Sequence, residues 1–85
     1  MNNWQYVVLK PAQRYLMRLS TADQRRIVAA LDALLSDFET LDIKSLKGRP
    51  EKRLRIGKYR VLFVEDQEAQ KFVITTIGPR GDVYK

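Results

Sequence analysis

The sequence predicts an α+β domain, a small β-α-α-β-β-β unit with two N-terminal helices packed on one face of a mainly antiparallel sheet. Three observations predict it. Apolar residues recur at spacings of three and four only between Ala12 and Phe38. Three strand-like runs, rich in β-branched and aromatic residues, follow between Arg53 and Ile77. One more such run precedes the helices.

Trp4 to Leu9 is aromatic and β-branched and reads as the first strand. Pro11 stands where a helix can begin, because its missing N–H costs nothing in the first turn. Ala12, Tyr15, Leu16 and Leu19 make a short apolar stripe. Ser20-Thr21 interrupts it. Thr21 with Gln24 matches a capping box, and Ser20 with Asp23 is an alternative cap one residue earlier. The second helix carries Ile27, Leu31, Leu34 and Phe38, flanked by Val28 and Leu35. Residues 39–51, with Gly48 and Pro50, read as irregular. Arg53 to Ile56 alternates basic and apolar, Tyr59 to Val64 is mostly apolar, and Phe72 to Ile77 is β-branched and aromatic. Gly57-Lys58 has the Gly-X form of a type II′ hairpin turn. Glu65 to Gln70 reads as a solvated hairpin loop, Gly78 to Gly81 as a turn, and Asp82 to Lys85 as a short extended tail.

The chain has 85 residues, 45% of them hydrophobic. That is the size of one domain, spanning residues 1–85, with a core small enough for a bound partner to matter to stability. Cysteine and histidine are both absent. The sequence therefore offers no disulfide framework and no thiolate or imidazole ligand for zinc. Its carboxylates are scattered, so no metal and no cofactor is expected. No apolar run approaches 18 residues, and the N-terminus lacks the apolar core of a signal peptide. The expected location is the cytoplasm, with no membrane partner.

The net charge of +6 is concentrated. Between Lys44 and Arg60 stand Lys44, Lys47, Arg49, Lys52, Arg53, Arg55, Lys58 and Arg60 against one acid, Glu51, a net of +7. Residues 1–43 balance five basic against five acidic residues, and residues 61–85 carry three against four. A surface of one sign is aimed at an anion, and phosphate is the usual one. Lys44, Lys47, Arg49, Lys52, Arg55 and Lys58 are the candidate RNA- or phosphate-binding residues.

The two-residue turn fixes a register. Ile56 then faces Tyr59, and Arg55 faces Arg60. Because side chains alternate, Arg53, Arg55 and Arg60 share one face with Leu62 and Val64. Leu54, Ile56, Tyr59, Val61 and Phe63 take the other, toward the helices. Two arginines directly opposite repel unless an anion bridges them.

The pattern from Leu46 onward resembles the RelE/ParE toxin superfamily of bacterial toxin–antitoxin systems. It comprises Leu46-Lys47-Gly48, the basic strand, Gly57-Lys58-Tyr59-Arg60-Val61-Leu62-Phe63, and Ile77-Gly78-Pro79-Arg80 followed by Val83-Tyr84. RelE-like members are ribonucleases that cut messenger RNA in the ribosomal A site, whereas ParE-like members inhibit DNA gyrase and lack the catalytic set. The resemblance implies Arg60, Arg80, Tyr84 and Arg53 as the catalytic set, with Lys52 or Arg55 as alternatives on the basic strand. It also implies an mRNA substrate presented by the ribosome and an acidic, RelB-like antitoxin. Arginines stand here where lysines are often seen, and Pro79 and Gly81 flank Arg80 where polar residues are common. A gyrase inhibitor and a non-cutting RNA-binding module are the alternatives, and a binder needs the cations but not Tyr84.

The implied chemistry is self-cleavage of RNA. It requires the 2′-OH deprotonated, the phosphorane charge stabilised and the 5′-oxygen protonated as it leaves. Tyr84 can serve the 2′-OH if surrounding positive charge lowers its pKa. Arg53 and Arg60 can hold the non-bridging oxygens with paired donors, and Arg80 can stabilise the leaving oxygen. Such a catalyst relies on the ribosome for positioning.

Overall fold

The computed structural model describes residues 3–79. Strand β1 (Gln5–Val8) leads into helix α1 (Lys10–Met17) and helix α2 (Thr21–Ser36). A single 3-10 turn (Phe38–Thr40) precedes β2 (Asp42–Ser45), β3 (Lys52–Ile56), β4 (Tyr59–Asp66) and β5 (Lys71–Pro79). The five strands form one sheet in the order β1-β5-β4-β3-β2, antiparallel except for the parallel β1–β5 pair.

The helices form where the sequence places them. Pro11 sits in the first turn of α1. Of the two possible caps for α2, Ser20 is the one used: its Oγ accepts from the Asp23 N–H at 3.2 Å. Ala12, Ile27, Leu31 and Leu34 project from the helices onto Leu54, Ile56, Tyr59, Val61, Phe63, Phe72, Ile74 and Ile77 of the sheet. Phe72 anchors this layer, with Trp4, Phe38 and Phe63 around its ring at 4.7, 6.0 and 5.8 Å.

The 57–58 turn has two residues and sets the expected register, with Ile56 opposite Tyr59 and Arg55 opposite Arg60. Gly57 has φ +56° while Lys58 stays on the negative side, as a II′ turn requires.

Two expectations are corrected. Residues 42–45, read as irregular, form the edge strand β2 on β3. Only Ile43 is apolar there, so the strand owes its existence to the ladder on β3 rather than to its own propensity. Gly78-Pro79, read as a turn, continues β5, opposite Arg60 and Tyr59. Because β1 reaches only to Ile74, β5 has a single neighbour at Pro79, where a residue without an N–H is tolerated.

Candidate anion-binding face

The strand pairings give the sheet face opposite the helices residue by residue. One row across it reads Asp42, Arg55, Arg60, Gly78. The next reads Lys44, Arg53, Leu62, Thr76. Toward β1 the face turns apolar, with Val64, Val73 and Val7 in line. Cationic and apolar surface thus share one side of the sheet, as the alternation predicts.

Within this face Arg53 is the most enclosed charge, 5% exposed. Its Nη2 donates to Asp42 Oδ1 at 3.2 Å, and Asp42 itself is exposed. The guanidinium is therefore held in place by a carboxylate that keeps contact with water. Leu62, next to Arg53 in the row, is 1% exposed although it points away from the core. Arg55 and Arg60 are half-buried and Lys44 is exposed. Among the described residues, Asp42 is the one carboxylate in these two rows, against Lys44, Arg53, Arg55 and Arg60.

The other predicted cations lie elsewhere. Lys52 is opposite Phe63, on the helix side, and its Nζ donates to Glu65 at 3.0 Å. Arg49 makes two contacts to Glu51 at 3.3 and 3.4 Å in the loop before β3. Lys47 is exposed in the same loop. Lys58, in the hairpin turn, has its Nζ 3.9 Å from Asp23 and 5.6 Å from the Tyr59 ring centre. Arg80 and Tyr84 lie outside the described residues.

The described tyrosines belong to the helix side. Tyr59 donates to Asp23 at 2.6 Å, and this bond, with burial, pushes its pKa up to about 12. Tyr6 is likewise pushed up to about 12, by burial and by its 2.8 Å bond to Asp32. Both shifts favour the neutral phenol, the wrong direction for a base at neutral pH.

Sequence reasoning missed Asp42, the partner that orients Arg53. The polar–apolar–polar alternation Asp42-Ile43-Lys44 was its signal: on a strand, Asp42 and Lys44 must share a face.

Two helices on one side of a mixed five-stranded sheet, with Lys44, Arg53, Arg55 and Arg60 on the opposite side, define a small α+β domain. No family model matches the chain, and no curated protein matches it. Solved structures do. It is 25% identical to a chain of the archaeal RelE–RelB complex from Pyrococcus horikoshii, covering 96% of this chain and 100% of that one with a TM-score of 0.80. It superposes with a TM-score of 0.73 on the RelB–RelE antitoxin–toxin complex from Methanococcus jannaschii, at 20% identity over 93% of this chain and 95% of that one. The intact Escherichia coli RelBE complex gives 0.73 at 16% identity over 89% and 95%. The likeness runs over nearly the whole chain and supports the RelE-like superfamily.

Proposed function

We propose that this protein is the toxin of a type II toxin–antitoxin pair, an endoribonuclease that cleaves mRNA in the ribosomal A site and so stops translation. The observation that carries the reading is the Arg55–Arg60 cross-strand pair with Arg53 in the neighbouring row. Like charges held opposite each other destabilise a hairpin, and a phosphodiester bridging them relieves that cost. In the reaction the substrate 2′-oxygen attacks its own phosphorus and the bond to the 5′-oxygen breaks. Arg53 and Arg60 hold the non-bridging oxygens as charge builds on the phosphorane. Tyr84 is the phenol that the resemblance to RelE assigns to the 2′-OH proton, while Tyr59 and Tyr6 are engaged by carboxylates on the helix side. Arg80 is assigned to stabilise the charge on the leaving 5′-oxygen, which takes its proton from solvent water. No protein ligand set for a metal is needed for these steps. An acidic, RelB-like antitoxin silences the protein by covering the same cations, a reading supported by the RelE–RelB complexes that share the fold.

Purified protein added to a translating extract, with primer extension on the message, tests this. Discrete cuts at A-site codons, persisting after EDTA treatment that leaves ribosomes intact, are expected. Intact message together with loss of gyrase supercoiling would move the protein to the gyrase-inhibiting branch.

A further inference from the structure

A second cationic surface lies in the half of the chain whose charges sum to zero. Helix α1 contains Lys10 and Arg14 and no acid, and Arg18 caps its C-terminus. At spacings of four these residues form one row along the helix, and all three are exposed. The first acidic residue of the whole chain is Asp23, which is engaged by Tyr59 and Lys58. Among the described residues, none of Lys10, Arg14 and Arg18 takes part in an ion pair. Helix stability does not account for the row: a cation near the C-terminus complements the helix dipole, but Lys10 opens the helix, at the end where positive charge is unfavourable.

Beside this row the structure forms an open cleft of about 380 Å³ between α1 and β5, lined by Pro11, Arg14, Tyr15, Arg18 and the Thr75–Ile77 stretch. It exists because β1 ends at Val8, opposite Ile74, and α1 takes over the flank of β5. A β-bulge falls at this point: Leu62 is opposite Thr76 but Phe63 is opposite Ile74, leaving Thr75 as the extra residue. The Thr75 hydroxyl donates to the Leu62 carbonyl at 3.3 Å. Thr76 ends the row Lys44, Arg53, Leu62, Thr76. The cleft lies along β5 on the helix side, where the Tyr15 ring packs edge-on against Tyr59 at 6.3 Å, and Thr76 of its lining stands two strand spacings, about 10 Å, from Arg53 in the row on the other side.

We propose that the Arg14–Arg18 cleft is a second RNA subsite, in which the two guanidinium groups hold the backbone phosphate of a nucleotide outside the scissile step. The half-buried Tyr15 supplies an aromatic wall for its sugar or base, and Thr76 leads the strand back to Arg53. Two cations, an aromatic ring and hydroxyls, without a carboxylate in the lining, are the chemistry of a single-stranded nucleic-acid track. This inference rests on the reading of the protein as an RNA-cleaving toxin and deepens it. The site positions message; it takes no part in the bond-breaking step.

The test is binding of a fluorescein-labelled 12-nucleotide RNA, 2′-O-methylated throughout so that it cannot be cleaved, to the wild type and to Arg14→Ala/Arg18→Ala. Removing one cation from the phosphates of a single strand changes the slope of log affinity against log salt by about 0.7, so the double variant should flatten the slope by about 1.4 and bind about 25-fold more weakly at 0.1 M salt. Its melting temperature should match the wild type's, since both side chains are exposed. An unchanged slope and affinity in a wild type that does bind overturns the subsite while leaving the proposed function standing. A wild type that neither binds this RNA nor cuts message overturns both. Polyglutamate of equal charge displacing the RNA as well as unlabelled RNA does would reduce the cleft to a general anion surface and also overturn it.

Discussion

Arg55 and Arg60 are direct cross-strand partners on the sheet face opposite the helices. Asp42 sits on the far side of Arg55 in the same row, so a carboxylate flanks one arginine while the second arginine flanks its other side. A double-mutant cycle with Arg55→Gln and Arg60→Gln isolates the coupling between them. It should be unfavourable to folding by about 0.2–1 kcal/mol at low salt. The coupling should shrink in 0.5 M salt, by screening, and change sign with saturating RNA. A favourable coupling in the free protein would mean that the two heads are bridged internally and that no repulsion is there for a phosphate to relieve.

The proposed roles divide the cations into two kinds. Arg60→Ala, Arg80→Ala and Tyr84→Phe should each slow A-site cleavage by about 10²-fold or more, the scale of losing one transition-state donor or proton-transfer group. Lys44→Ala and Lys47→Ala should chiefly weaken binding, raising the concentration needed for half-maximal cutting with little change in the maximal rate. Single-turnover cleavage on programmed ribosomes separates the two effects. Full activity in Tyr84→Phe would reduce that phenol to a packing role.

Much of this face was legible in the sequence because a few residues fix its geometry. Gly57-Lys58 sets a two-residue turn, the turn sets the register, and alternation then sorts Arg53, Arg55 and Arg60 from Leu54, Ile56 and Tyr59. The less legible parts depend on tertiary context. The strand at Asp42–Ser45 has one apolar residue and forms on the β3 ladder. The burial of Arg53 could not be read from a run of charges, since such runs are usually solvated; it follows from the Asp42 carboxylate beside it and from its place between Lys44 and Leu62. Lys52 illustrates the same limit: one residue from Arg53 in sequence, it lies on the opposite side of the sheet.

The tyrosines predict an alkaline transition. Tyr59 and Tyr6 have native pKa values raised from 10.0 to about 12, so the folded state favours the neutral phenol more than the unfolded chain does. A raised pKa contributes stability that is fully present below pH 10 and is lost as pH rises toward 12. Unfolding midpoints in urea should therefore hold steady up to about pH 10 and fall beyond it. Tyr59→Phe should start from lower stability at neutral pH, without the Asp23 bond, and show a shallower alkaline fall. An identical alkaline slope in the variant would sink the assignment.

The three basic residues of β3 alternate across the sheet, and their substitutions should sort accordingly. Arg53 and Arg55 face the side opposite the helices, whereas Lys52 faces the helix side and pairs with Glu65. Lys52→Ala should therefore leave the cleavage rate within about 3-fold of wild type, and its effect on stability should be small, as for partly exposed ion pairs, about 0–1 kcal/mol. Arg53 behaves differently because it is both enclosed and charged. Arg53→Ala should lose activity and about 1–2 kcal/mol of stability, through the emptied space and the broken bond to Asp42. Arg53→Met keeps an unbranched apolar stem in that space, so it should recover most of the stability and none of the activity. Urea unfolding alongside A-site cleavage reads both quantities on the same preparations. If Arg53→Met cuts as fast as wild type while Lys52→Ala is inactive, the phosphate-binding face is not the one opposite the helices, and the proposed site is wrong.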